Sequence, residues 1–161
     1  MGRCIYGGIY DPSSPHADSH GYRTDVLSAL RELSIPVIRY PGGNFVATYN
    51  WEDGVGPRSE RPARPELAWL GTETNAFGTD EFMHWLSVLG GDVEPYFCLN
   101  MGTGTLREAL AWVEYCNGKG DTYYAKLRRK NGREEPYGIK YWALGNEVSL
   151  RSSHFRDFYR A

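Results

Sequence analysis

The chain has 161 residues and sets 18 Lys and Arg against 20 Asp and Glu, so its net charge of −2 gives no long-range field for nucleic acid or an anionic membrane. With 41% hydrophobic and 24% charged residues it has the composition of a soluble domain with one sizeable core. The cysteines at 4, 98 and 116 form no C-x-x-C pair, and the histidines at 16, 20, 84 and 154 lack H-x-x-x-H spacing, which argues against a zinc site, a disulfide framework and a metal cofactor.

No stretch approaches a membrane span and no apolar leader opens the chain, so a reduced, cytoplasmic setting is expected. The 12 Tyr, 5 Trp and 6 Phe, set among 19 Gly, suit either a concave site that stacks on a ring-shaped ligand or an aromatic core. Residues 3–20 read as loop with a short strand. Val26, Leu27, Leu30 and Leu33 then recur at the spacing of one buried helical face, which predicts a helix over Thr24–Leu33 with Asp25 in its first turn. The run Ile35-Pro36-Val37-Ile38 is apolar on both faces, as a parallel strand covered by helices requires, and it ends in Arg39 and the Gly42-Gly43-Asn44 turn.

Residues 41–78 form a long connection holding Phe45, Tyr49, Trp51, Glu52, Asp53 and Trp69; its aromatic content argues for function rather than disorder. A helix from Thr79 should bury Phe82, Leu86 and Leu89 and stop at Gly90-Gly91. Val93–Leu99 is the next strand, followed by Asn100. Thr105 and Glu108 make a capping-box pattern for a helix that should bury Leu106, Ala109, Leu110, Val113 and Cys116. Residues 119–136 read as polar connection, with the basic run 126–133 as a solvated turn, and 139–144 as a final strand. Gly102-Thr-Gly104-Thr-Leu-Arg107 stands where a dinucleotide fingerprint belongs, but Arg107 replaces its third glycine. A Gly-rich strand-to-helix turn accounts for it better, and a nucleotide-binding α/β domain ranks last among the readings.

The alternation of helix and strand means an α/β fold with a parallel sheet, without deciding between a barrel and an open sheet. Arg39 with Asn44, Asn100, and Asn146 with Glu147 stand at or just beyond three successive strand ends. Amides and a carboxylate there suit sugar hydroxyls, while Trp51 and Trp69 offer rings for apolar sugar faces; capping of local loops is the plainer role for any one of them.

The motifs Arg-Tyr-Pro-Gly-Gly-Asn-Phe (39–45), Tyr-Asn-Trp-Glu-Asp-Gly-Val-Gly-Pro-Arg (49–58), Leu-Ala-Trp (67–69), Thr-Glu-Thr-Asn-Ala-Phe-Gly (72–78), Val-Glu-Tyr-Cys-Asn (113–117) and Leu-Gly-Asn-Glu (144–147) resemble the α-L-arabinofuranosidases of glycoside hydrolase family 51. The resemblance runs from about Arg3 to Glu147. It implies part of a (β/α)8 barrel, roughly the second to fourth βα units, that removes terminal α-L-arabinofuranosyl groups from arabinan and arabinoxylan with retention. It implies Glu147 as general acid/base, Asn44 and Asn146 as sugar-binding residues, Trp69 as a site-lining aromatic and Arg39 as the arginine beside the nucleophile. It also implies no cofactor and homo-oligomeric intact members.

The chain departs from the family pattern where a Glu-bearing strand should precede Arg3 and where Val-Ser-Leu-Arg-Ser-Ser-His-Phe follows Glu147 in place of Met-Asp-Gly-Pro-Trp. The family's nucleophile belongs to a later strand, beyond Ala161. Such a barrel typically needs ~250 residues, so the expectation is an incomplete catalytic domain over 1–147 and a divergent tail over 148–161, from truncation or frame change, without turnover. A non-catalytic sugar-binding or assembly module is the alternative from another class.

Overall fold

The computed structural model describes residues 7–148. Four helices, α1 (Thr24–Leu33), α2 (Thr79–Leu89), α3 (Leu106–Asn117) and α4 (Tyr123–Lys130), accompany five strands: β1 (Val37–Tyr40), β2 (Arg64–Glu66), β3 (Gly71–Glu73), β4 (Glu94–Cys98) and β5 (Tyr141–Ala143). Three strands form a parallel sheet in the order β1-β4-β5, with Val37 opposite Glu94 and Tyr96 opposite Tyr141. The fold is therefore α/β with a parallel sheet, as the alternation of elements requires.

The helix ends follow local chemistry. Thr105 accepts from the Glu108 N–H while the Glu108 carboxylate accepts from the Thr105 N–H, which closes the capping box of α3. At α2 the Glu81 carboxylate reaches back to the Gly78 N–H, and Gly90, with φ 78°, ends the helix in a conformation that costs glycine little. The core between sheet and helices is aromatic. Phe97 of β4 meets Phe82, Trp112 and Trp142 at 5.6, 5.3 and 5.4 Å between ring centroids, and Tyr40 stacks on Phe82 at 4.5 Å. Most of the aromatic side chains thus build the core. Trp51, expected to face sugar, is among them: it is 3% exposed, lies parallel to Trp112 at 6.0 Å and donates to the Glu108 carbonyl.

Several expectations fail for identifiable reasons. Residues 119–136 are not simply connection, because α4 occupies Tyr123–Lys130 and packs on α3. Its Arg128 is 0% exposed rather than solvated, and it donates to the carbonyls of Tyr115, Arg133 and Glu134. Leu110 lies on the outward side of α3 and is 60% exposed; Leu33, in the last turn of α1, is also exposed. Val37 is exposed too, so β1 is not covered on both faces. The connection 41–78 contains three 3₁₀ turns (Asn44–Thr48, Trp51–Gly54 and Arg58–Glu60) and the β2–β3 hairpin. The 3–20 loop is described from residue 7, where Tyr10 and Tyr22 make an antiparallel bridge. Arg3, and all of the 148–161 tail except Val148, lie outside the described residues.

Candidate functional site

The parallel order brings the C-terminal ends of β1, β4 and β5 to one side of the sheet, and the strand-end residues meet there. Arg39 donates through Nη2 to Asn146 Oδ1 at 2.8 Å, and Asn146 Nδ2 donates to Asn44 Oδ1 at 2.9 Å. A continuous relay of side chains therefore runs Arg39–Asn146–Asn44 across the mouth of the sheet. Cys98, from β4 between them, is buried; its thiol donates to the Gly145 carbonyl at 3.2 Å and lies 3.5 Å from Arg39 Nη2. The sequence reading missed Cys98, although its position at the end of the middle strand was the available signal.

Glu147 follows Asn146 directly and is exposed, with φ 51°; its carboxylate makes no hydrogen bond among the described residues. Left-handed backbone at a non-glycine residue is held at a cost of order 1–3 kcal/mol and concentrates at functional positions. Asn100, the remaining strand-end amide, does not join the relay. Its Oδ1 accepts from the N–H groups of Gly102 and Thr103, and its Nδ2 donates to Tyr49 and Thr103, so it organises its own loop. Gly102 and Gly104 are equally accounted for by packing, since a Cβ on either would collide with the carbonyl of Ala47 or Asn100.

Trp69 lies in the turn of the β2–β3 hairpin and is 40% exposed. The buried Glu66 carboxylate fixes that turn by accepting from the N–H groups of Ala68 and Trp69 at 2.7 and 2.8 Å. No hydrogen bond or ring contact ties Trp69 to the relay among the described residues. Tyr40 and Tyr49 support the floor of the region with hydroxyls 3.3 Å apart, and burial pushes both phenols well above their ordinary range, so both stay neutral. No group of three or more His, Cys, Asp or Glu side chains that would hold a metal occurs among the described residues. Amides, a guanidinium and one exposed carboxylate can hold and orient hydroxyl groups and can exchange a proton with one of them.

The alpha-L-arabinofuranosidase 1 domain model matches residues 29–161. The chain is 79% identical over 148 residues to the probable alpha-L-arabinofuranosidase C of Aspergillus fumigatus, covering 92% of this chain and 29% of that protein. It is 52% identical, over the same shares, to the intracellular exo-alpha-(1->5)-L-arabinofuranosidase 1 of Bacillus subtilis. The solved arabinose complex of the Thermotoga maritima alpha-L-arabinofuranosidase superposes with a TM-score of 0.86 at 59% identity, over 91% of this chain and 30% of that one. The chain thus spans 29% of the length of the curated relatives it matches.

Proposed function

The chain belongs to the family of the alpha-L-arabinofuranosidase 1 domain, the α-L-arabinofuranosidases of glycoside hydrolase family 51, and we propose that it forms one wall of such an enzyme's catalytic barrel. In this reading residues 1–147 make up roughly the second to fourth βα units of a (β/α)8 barrel, left incomplete here. The parallel order β1-β4-β5 and the exposed apolar Val37, Tyr141 and Leu144 on or beside the two outer strands support it.

The proposed chemistry is retaining removal of terminal α-L-arabinofuranosyl groups from arabinan- or arabinoxylan-type oligosaccharides. Glu147 protonates the leaving glycosidic oxygen and then activates water against the glycosyl-enzyme. Asn44 and Asn146 hold sugar hydroxyls, Trp69 lines the site, and Arg39 stands beside the nucleophilic carboxylate. Retention requires that second carboxyl about 5–5.5 Å from the first. The carboxylates available are committed elsewhere: Asp53 to Arg64, Glu81 to Arg61, Glu52 to the Tyr124 hydroxyl, and Glu73 to the Asn75 N–H. The nucleophile is therefore assigned outside this chain. The relatives' names support removal of terminal units, and the Bacillus subtilis name supports a cytoplasmic setting.

The observation that carries this reading is the Arg39–Asn146–Asn44 relay directly beside Glu147. The chain should bind L-arabinose without turning over an aryl α-L-arabinofuranoside. Asn146→Ala should weaken arabinose binding by about tenfold, the worth of one hydrogen bond in a charged relay. Calorimetry showing unchanged affinity in that variant would sink the site, and hydrolysis by the pure chain would sink the missing nucleophile.

A further inference from the structure

A cleft of about 290 Å³ opens between the 3₁₀ turn that begins at Asn44 and the β2–β3 hairpin that carries Trp69. The two proposed sugar-binding residues thus stand on its two sides: Phe45, next to Asn44, and Leu67, two residues before Trp69, both line it. We propose that this cleft is a second sugar subsite that takes one neutral pentose ring, an inference that rests on the sugar-binding reading above.

The lining matches a pentose in shape and polarity. Phe45 and Tyr49, with ring centroids 5.0 Å apart, form an apolar wall with Leu67, suited to the C–H face of a sugar. Pockets for drug-sized ligands run from about 300 to 1,000 Å³, so this volume suits a smaller occupant of one ring. Anionic ligands are disfavoured, because Asp53, Glu66 and Glu73 all line the cleft and its one guanidinium, Arg64, is held by Asp53 at 2.9 and 3.2 Å.

The polar side contains an unmet acceptor. Asn75, 1% exposed, lines the cleft, and its Nδ2 donates to the Pro62 carbonyl at 2.7 Å, which fixes the orientation of the amide. Its Oδ1 is buried and has no hydrogen-bond partner among the described residues. A buried acceptor without a donor is an uncompensated cost, and a sugar hydroxyl supplies the donor.

The ring can come from a free pentose or from a unit of an arabino-oligosaccharide, so the test uses both. The ¹⁵N-labelled 161-residue chain is titrated with L-arabinose and with α-1,5-arabinobiose while its amide resonances are followed. Saturable shifts at the Asn75 side-chain amide and at the Tyr49, Leu67 and Glu73 N–H groups are expected, and they should persist in Asn146→Ala. A response to both sugars identifies a site for the free ring, whereas a response to the disaccharide alone identifies a site for a chain unit. Asn75→Gly, which keeps the left-handed backbone (φ 55°), should weaken the cleft response about tenfold. Shifts confined to Gly145 and Asn146 would overturn the cleft and leave the first site standing. Shifts confined to the cleft would do the reverse, and non-saturating shifts at the cleft would overturn it.

Discussion

At the scale of single residues, neighbouring carboxylates on α2 are held in opposite states. Burial raises the Glu81 pKa, but the bonds from Arg61 and the Gly78 N–H, with Arg58 close by, outweigh it and leave the group below its usual value. Burial also raises Asp80, and there the donors are only the hydroxyls of Tyr137 and Tyr115, so its pKa stays above the usual value. The signs differ accordingly. Glu81 contributes stability above its unfolded pKa of about 4.3 and loses it as pH falls through the lower folded value. The Asp80 contribution is complete below about 3.9 and fades as pH rises through its raised folded value. Glu81→Gln should cost about 3 kcal/mol near neutrality, because it leaves the nearly buried Arg61 without its charge partner. It should also shrink the loss of stability between neutral and acid pH. Denaturant melts across that range check both, and a variant with an unaltered acid limb would refute the assignment.

At the scale of elements, α4 depends on a buried cation that binds carbonyls instead of a carboxylate. Arg128→Met removes the donors to Tyr115, Arg133 and Glu134, and orphaned buried carbonyls cost about 1–3 kcal/mol each. A loss of about 3 kcal/mol and faster hydrogen exchange across α3 and α4 are expected; unchanged exchange would show that the contacts are dispensable. The same helix marks where sequence reading fails. Helices α1, α2 and α3 were legible because caps and apolar spacing agree at Ser34, Gly90 and the Thr105–Glu108 box. In Tyr123–Lys130 the charged positions outnumber the apolar ones, and nothing local distinguishes buried Arg128 from its exposed neighbour Lys130. The hairpin was hidden because its strands have three residues each, with Pro65 inside one and a buried carboxylate at Glu66. Arg39, Asn44 and Asn146 were legible as strand-end residues. The commitment of Asn100 to its own loop and the burial of Trp51 were not, since both depend on residues distant in the chain.

At the scale of the whole molecule, β1 and β5 each pair on one side only among the described residues, and neither is interrupted by a bulge or proline. Open edges of this kind template further pairing. The isolated chain should therefore self-associate as its concentration rises, measured by light scattering. A monodisperse monomer with one cooperative melt would count against its being an uncovered barrel segment. The bond between Arg39 and Asn146 joins positions 107 residues apart, and that between Asn44 and Asn146 spans 102. Contacts so distant in sequence require closure of nearly the whole chain, and topologies dominated by them fold slowly. A molecule whose last strand has not docked can hold the β1–β4 pair and the aromatic cluster around Phe97, yet it has no relay. Affinity for sugar is thus gained at the final stage of folding and reports its completion.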